Sequence, residues 1–415
     1  MKINTINLVN YSIIAFGLYP IIPNNLKGIF TIILLITSFN YYIRNNRKSY
    51  VAPFLTNSAL FFVYLISLIY TTDFYYGFKK LGTVITMVVF PLIFYLLLGN
   101  FNFKRKTFYQ TLNLFSISTF IFLIGFIIYF NLRVLPFFPD ASFSNVNYIR
   151  SYLIAFPKIG HHPIYVSIYI SISIINSIRL SIKWYKKNIT YFLILLMFLI
   201  TLLFSLFFIS SKGSILALVL VFVLLFNIKS KNKNRSILYS LAVVILLVFS
   251  IFIIPQANSR FEEIIKSRTY STSDLDINNS SQIRFIIWKT SLEKIKKSPI
   301  FGYGIGDVQN LLDSSYKKNY PHLLKKQYNS HNQYFSIWLS TGILGIFLFL
   351  NFLFFNFKIG FQNKDYMFLA LLLIFSLLFL IENVLERQVG ATIFFFFTNL
   401  FGFYNYSNLK NNRTT

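Results

Sequence analysis

Residues able to do chemistry are few in this 415-residue chain, and they fall in short runs. Histidine occurs four times; His161 and His162 adjoin, and His331 opens the run His331-Asn332-Gln333-Tyr334. Arg284 and Trp288 stand four apart, the spacing that puts two side chains on one face of a helix. Lys212 lies in Ser210-Ser211-Lys212-Gly213, and Glu382, Glu386 and Arg387 close a long apolar run. Cations beside a histidine, without a carboxylate cluster, suit an anionic substrate and a proton acceptor. Arginine grips phosphate oxygens through paired hydrogen bonds and can stabilise a departing diphosphate. Histidine can take a proton from an acceptor hydroxyl near neutral pH.

Each of these residues also has a structural reading. His331 can bond a backbone carbonyl at an interface, Arg284 can sit on a solvated helix face, and Lys212 can snorkel beside a short turn. His161-His162-Pro163 can cap a helix that tolerates proline in its first turn. Other signals are weak. Asp274-Leu275-Asp276 matches an Asp-x-Asp metal motif but sits in a Ser/Asn-rich run, so no metal site and no cofactor are expected. Gly302-x-Gly304-x-Gly306 has the wrong third spacing for a dinucleotide fingerprint and reads as a tight turn. The absence of Cys excludes disulfides, Fe–S clusters, thiolate zinc and Cys nucleophiles.

The elements that must position these residues are written in the composition. Hydrophobic residues make up 55% of the chain, aromatic residues 20% and charged residues only 12%. A soluble domain carries about a quarter charged residues, so most of this chain cannot face water. The net charge of +27 invites a nucleic-acid reading, yet there are too few soluble stretches to present a basic face, and no nucleic-acid partner is expected. Runs near the ~20 residues that cross a bilayer occur at 7–22, 26–43, 51–70, 81–98, 108–130, 163–182, 189–209, 214–228, 236–254, 332–357, 366–385 and 389–404. The expected fold is therefore an all-α polytopic membrane protein with about 12 transmembrane helices. The first run has neither a basic leader nor a small-residue cleavage site and reads as a span rather than a signal peptide.

Alternate loops are rich in Lys and Arg, as at Arg44, Arg47 and Lys48, at Lys104 to Lys106, at Lys183, Lys186 and Lys187, and at Lys229 to Arg235. The opposite loops hold about half as many, which puts both termini in the cytoplasm. Three regions follow: spans in 1–254, an external helical loop at 255–331, and spans with a cytoplasmic tail in 332–415. The external loop should contain a helix from Gln282 to Ser298, stopped by Pro299. By this orientation the candidate residues gather at the outer rim, and the spans hold almost no charge on which an ion relay could run.

Taken together, the motifs resemble the O-antigen ligase and O-antigen polymerase superfamily of multispanning glycan transferases. The carrying pieces are Ser-Ser-Lys-Gly-Ser at 210–214, Arg284 with Trp288, Pro299 to Gly306, His331 to Tyr334 leading to Gly342 and Gly345, and Glu386-Arg387-Gln388. The resemblance covers roughly 160–404. It implies a metal-independent, inverting enzyme at the periplasmic face of the bacterial inner membrane. Such an enzyme takes a glycan from undecaprenyl diphosphate and passes it to lipid A–core or a similar hydroxyl. By motif, His331 would act on the acceptor hydroxyl, and Arg284 would bind the donor diphosphate with Lys212 and Arg387. His161, His162 and Glu386 are further candidates. The family usually has Arg where Lys212 stands, so the charge is kept and the bidentate fork is lost. A polymerase using the same donor is the alternative within the family, and a polysaccharide flippase is the alternative from another class.

Overall fold

The computed structural model describes residues 5–45, 51–97, 101, 105–137, 146–209, 212–229 and 280–414. The side chains of 146–147, 212, 226–229, 280–281, 322, 325–326 and 410–414 lie outside that description. Every regular element among the described residues is helical. In chain order these are α1 (Thr5–Ala15), α2 (Lys27–Asn45), α3 (Val51–Ser67), α4 (Phe74–Val84), α5 (Thr86–Leu97), α6 (Arg105–Tyr129), α7 (Val146–Ala155), α8 (Pro163–Trp184), α9 (Ile189–Phe208) and α10 (Lys212–Lys229). After the gap come α11 (Ser280–Lys297), α12 (Val308–Asn319), α13 (Gln333–Gln362), α14 (Tyr366–Leu378) and α15 (Gln388–Thr414).

Among the described residues, six segments are long and apolar enough to cross a membrane: Val51–Tyr70, Phe74–Leu97, Arg105–Val134, Pro163–Trp184, Ile189–Phe208 and Gln333–Gln362. Shorter apolar helices cover Thr5–Ile21, Gly213–Leu225 and Tyr366–Leu378. The expected span at 236–254 and the stretch 255–279 lie outside the described residues. Three boundaries depart from the apolar runs. The span expected at 81–98 begins at Phe74, where the Asp73 carboxylate accepts the Tyr76 N–H at 2.9 Å and caps the first turn. The run at 366–385 stops being regular helix at Leu378, beyond which the chain turns and enters a 3-10 segment, Val384–Glu386. The ten-residue α7 is too short to register as an apolar run.

Contacts divide the chain into two compact units, Met1–Lys48 with Gly99–Arg260, and Ser49–Leu98 with Phe261–Thr415. In the first, α8 is the most enclosed of the six long segments despite its many serines. Most of their hydroxyls bond carbonyls within the helix: Ser171 donates to the Ser167 carbonyl at 2.8 Å, Ser173 to Tyr169 at 2.9 Å and Ser177 to Ser173 at 2.7 Å. In the second unit, three buried asparagines tie α3, α13 and α15 together. Asn356 Nδ2 donates to Asn57 Oδ1 at 3.0 Å, and Asn57 Nδ2 donates to Asn399 Oδ1 at 2.9 Å. With no water in a bilayer interior, such side-chain amides fix which helices pair.

Candidate active site

The described part of the stretch 255–331 packs its own core onto the start of α13. Ile283, Ile286, Ile287 and Ile295 of α11 meet Leu312 and Tyr316 of α12, with Leu323 and Leu339 completing the cluster. Between α11 and α12, the glycine run forms the expected tight turn, with φ of 71° at Gly302 and 90° at Gly304. A Cβ at Gly302 would come within 2.6 Å of the Leu339 carbonyl oxygen. The turn lies against α13 because that helix is kinked at Gly342, where φ is 64° and ψ is −157°. Helix carbonyls at the kink accept from the turn, Leu339 from Tyr303 N at 2.7 Å and Ser340 from Gly304 N at 3.0 Å. In return Ile343 N donates to the Pro299 carbonyl at 2.9 Å. The runs at 299–306 and 342–345 are thus one clamp, holding the segment from α11 to α12 against α13.

That clamp orients α11 so that Trp288 and Arg284 reach the turn before α13. His331 occupies this turn in a left-handed conformation, φ 42°, which a residue with a Cβ adopts only when its surroundings impose it. Its N–H donates to Asn329 Oδ1 at 3.1 Å, and its carbonyl accepts from Trp288 Nε1 at 3.2 Å. The imidazole Nδ1 lies 3.1 Å from Glu382 Oε1, and the second oxygen of that carboxylate lies 3.8 Å from Arg284 Nη2. One carboxylate therefore bridges histidine and arginine. A carboxylate can only accept, so the Nδ1 contact puts the ring proton on Nδ1 and leaves the Nε2 lone pair of a neutral imidazole open. Arg284 Nε is buried without an acceptor among the described residues, while the rest of the side chain, 36% exposed, can present its terminal N–H groups to an anion.

The neighbours of His331 complete the positioning. Asn332 caps α13 by accepting Phe335 N–H at 3.1 Å, and its Nδ2 donates to the Leu380 carbonyl at 3.1 Å. Gln333 Oε1 accepts Leu385 N–H at 2.8 Å, and the Tyr334 hydroxyl donates to the Ser376 carbonyl at 3.0 Å. Apart from the cap, these bonds cross to the segment 376–385, which is how Glu382 comes to face His331.

Glu386 has a separate and enclosed place. Its Oε2 accepts from Lys80 Nζ at 2.8 Å and from Asn329 Nδ2 at 3.4 Å, while Oε1 accepts from Asn383 Nδ2 at 2.6 Å and from the Ser336 hydroxyl. Burial alone would push this carboxyl up, but the Lys80 charge and the donated hydrogen bonds outweigh it and hold Glu386 below the usual carboxylate range. A cavity of about 30 Å³, lined in part by Tyr64, Tyr76, Lys80 and Gln309, adjoins the pair and has room for water. Arg387, the next residue, is exposed.

The remaining candidates belong to the other unit. His161 is buried, with Nε2 against Lys27 Nζ, and Lys27 also donates to Asn24 Oδ1 at 2.9 Å. Burial, and then the Lys27 charge, pushes His161 down to about 3, so it stays neutral and serves the lysine as an acceptor. His162 occupies the N-cap position of α8, with Pro163 in the first turn. Lys212 begins α10, and its side chain lies outside the described residues. Asp274 and Asp276 also lie outside them, and among the described residues no three His, Asp or Glu side chains cluster. In sequence, Glu382 has no visible role, and neither Lys80 nor Asn329 is singled out. Glu382 and Glu386 stand out only as rare acids in an apolar neighbourhood; Lys80 and Asn329 carry no comparable signal.

Residues 195–350 match a family model described as O-antigen ligase. That segment takes in Lys212, Arg284, Trp288, the glycine turn, His331 and the Gly342 kink, and ends before Glu382. A Haemophilus influenzae protein described as uncharacterized is 25% identical over 301 residues, which is 69% of this chain and 66% of that protein. The alignment thus spans slightly under two thirds of the relative. The apolar helices mark a multi-pass membrane protein, and its segment 195–350 is similar to the O-antigen ligase family.

Proposed function

We propose that this chain is an O-antigen ligase-type glycosyltransferase, moving a glycan from undecaprenyl diphosphate to an acceptor hydroxyl at the periplasmic face of the inner membrane. The observation that supports this reading best is the Glu382 carboxylate shared by His331 and Arg284. In the proposed step, the acceptor oxygen bonds to the anomeric carbon as the bond from that carbon to the diphosphate breaks. The electron pair leaves with undecaprenyl diphosphate, and the hydroxyl proton passes to His331 Nε2. Glu382 keeps the ring in the right tautomer and steadies the imidazolium that forms, as the carboxylate does in a Ser-His-Asp triad. Arg284 supplies donors and charge to the departing diphosphate, with Lys212 and Arg387 as further cations carried over from the family motifs. Side-chain cations suffice to neutralise this leaving group, so the proposed step uses no metal.

The test is transfer by the purified protein from undecaprenyl-diphosphate glycan, with lipid A–core as acceptor in one arm and additional donor in the other. Product on lipid A–core supports the ligase, and chain growth on the lipid-linked glycan reassigns the protein as a polymerase. No product in either arm, from a folded protein that binds donor, removes the transferase reading.

A further inference from the structure

The unit formed by Met1–Lys48 and Gly99–Arg260 holds 21 of the chain's 39 Lys and Arg but, in its sequence, a single acidic residue, Asp140. Ion pairs within the unit therefore cannot neutralise its cations. The consequence is plainest at Arg179, near the C-terminal end of α8. A guanidinium in a spanning helix is costly unless it is partnered, and its partners here are all neutral. Nη2 donates to Asn113 Oδ1 at 3.0 Å and to Asn176 Oδ1 at 2.7 Å, Nε donates to Asn176 Oδ1 at 3.1 Å, and the group lies 4.0 Å from the Tyr109 ring centroid. The two N–H groups of Nη1 have no acceptor among the described residues. Arg105, at the first turn of α6, lies 5.5 Å from the same ring. Two arginines thus share one tyrosine, with no carboxylate paired to Arg179 among the described residues. Lys183 lies one turn further along α8 and is exposed, as are the Ile182 and Tyr185 side chains beside it.

We propose that the Arg105–Tyr109–Arg179 cluster binds the phosphate of an anionic phospholipid. Two cations gathered on one ring without a carboxylate for Arg179 favour an anion at this spot, and a phosphate accepts the paired N–H groups that Nη1 leaves open. The exposed Ile182 and Tyr185 give an acyl chain a surface to lie on, which a free phosphate would not need. Basic pockets between helix ends at a membrane surface take phosphate headgroups by this chemistry. The proposal is independent of the transferase reading, since it needs none of the residues assigned to transfer.

The experiment is native mass spectrometry with thermal unfolding on the delipidated full chain in neutral detergent. Phosphatidylglycerol, cardiolipin, phosphatidylcholine and inorganic phosphate are added in separate samples. Phosphatidylglycerol and cardiolipin should be retained and should raise the unfolding temperature, while phosphatidylcholine and inorganic phosphate should not. Arg179→Gln should weaken retention of phosphatidylglycerol, and so should the exposed Arg105→Gln, each by about fivefold, the effect of one basic group at an anionic surface. Arg133→Gln, at the opposite end of the same spanning segment, should change nothing. Equal retention of phosphatidylcholine, or equal losses in Arg133→Gln, would overturn the proposal. Stabilisation by inorganic phosphate alone would overturn the lipid assignment.

Discussion

Replacing Glu382 by glutamine keeps the side chain's length and shape but removes the charge that His331 and Arg284 share. On the arginine side, two unit charges 3.8 Å apart interact by about 4 kcal/mol at an effective dielectric of about 20 and by about 1 kcal/mol in water-like surroundings. The Arg284 side chain is 36% exposed, so the lower figure governs and that arm contributes little. On the histidine side, the 3.1 Å contact is a charge-assisted bond worth about 1.5–3 kcal/mol, against about 1 kcal/mol for a neutral one. Losing that difference, together with the stabilisation of the imidazolium, should cost Glu382→Gln about 10- to 100-fold in kcat. Glu382→Ala should lose more, because the ring is then free to take either tautomer. The assay is transfer to acceptor at varied donor, which separates kcat from the donor KM. The expected result is a fall in kcat with the donor KM nearly unchanged. Near-normal kcat in Glu382→Ala, or a raised KM with kcat intact, would refute it.

Arg284→Ala should reduce transfer about a hundredfold with expression intact, the cost of losing one charge-assisted contact made in the transition state. Arg284→Lys should recover only part, because a point charge replaces a fork, and steady-state transfer rates check both variants. At Glu386 the prediction concerns pH. Its folded-state pKa lies below the unfolded value of about 4.3, so its contribution to stability is full above that value and is lost as pH falls through the folded one. Unfolding temperatures measured from about pH 6 down to about pH 3 should show this acid limb. Glu386→Gln should flatten it and lower stability near neutrality by about 3 kcal/mol, since the largely buried Lys80 is left without its counterion. Gly342→Ala should prevent accumulation of folded protein, because the added Cβ would stand 1.9 Å from the Ile300 carbonyl oxygen at a positive φ. Yield of monodisperse protein in detergent checks this, and normal yield would mean that the clamp between turn and kink is dispensable.

Most helices are legible in the sequence because an apolar run of bilayer length has few other uses. What such runs do not report is backbone that leaves the helix to present a polar side chain. Lys79 and Lys80 hide the first turns of α4, although Asp73 is a visible capping signal. The run ending at 385 hides the exit at Leu378 that turns Glu382 toward His331. The same limit applies at the site. His331 and Arg284 stand out by rarity and spacing, and the Arg284–Trp288 interval is a true helix face with two separate jobs. Their partners are set by tertiary structure: Glu382 is 51 residues from His331, and Lys80 is 306 residues from Glu386. No local pattern pairs residues at such separations. His161 shows the opposite case, a histidine that looks reactive in sequence and is buried beside a lysine.

The most direct test of the account is to measure donor binding and transfer together in His331→Ala and His331→Gln. General-base help is worth roughly 10²–10⁴ in rate. Both variants should therefore lose transfer by at least about a hundredfold while binding undecaprenyl-diphosphate glycan as the wild type does, because Arg284 and the other cations remain. Substantial transfer by His331→Ala would contradict the account and leave His331 a structural residue of the turn before α13.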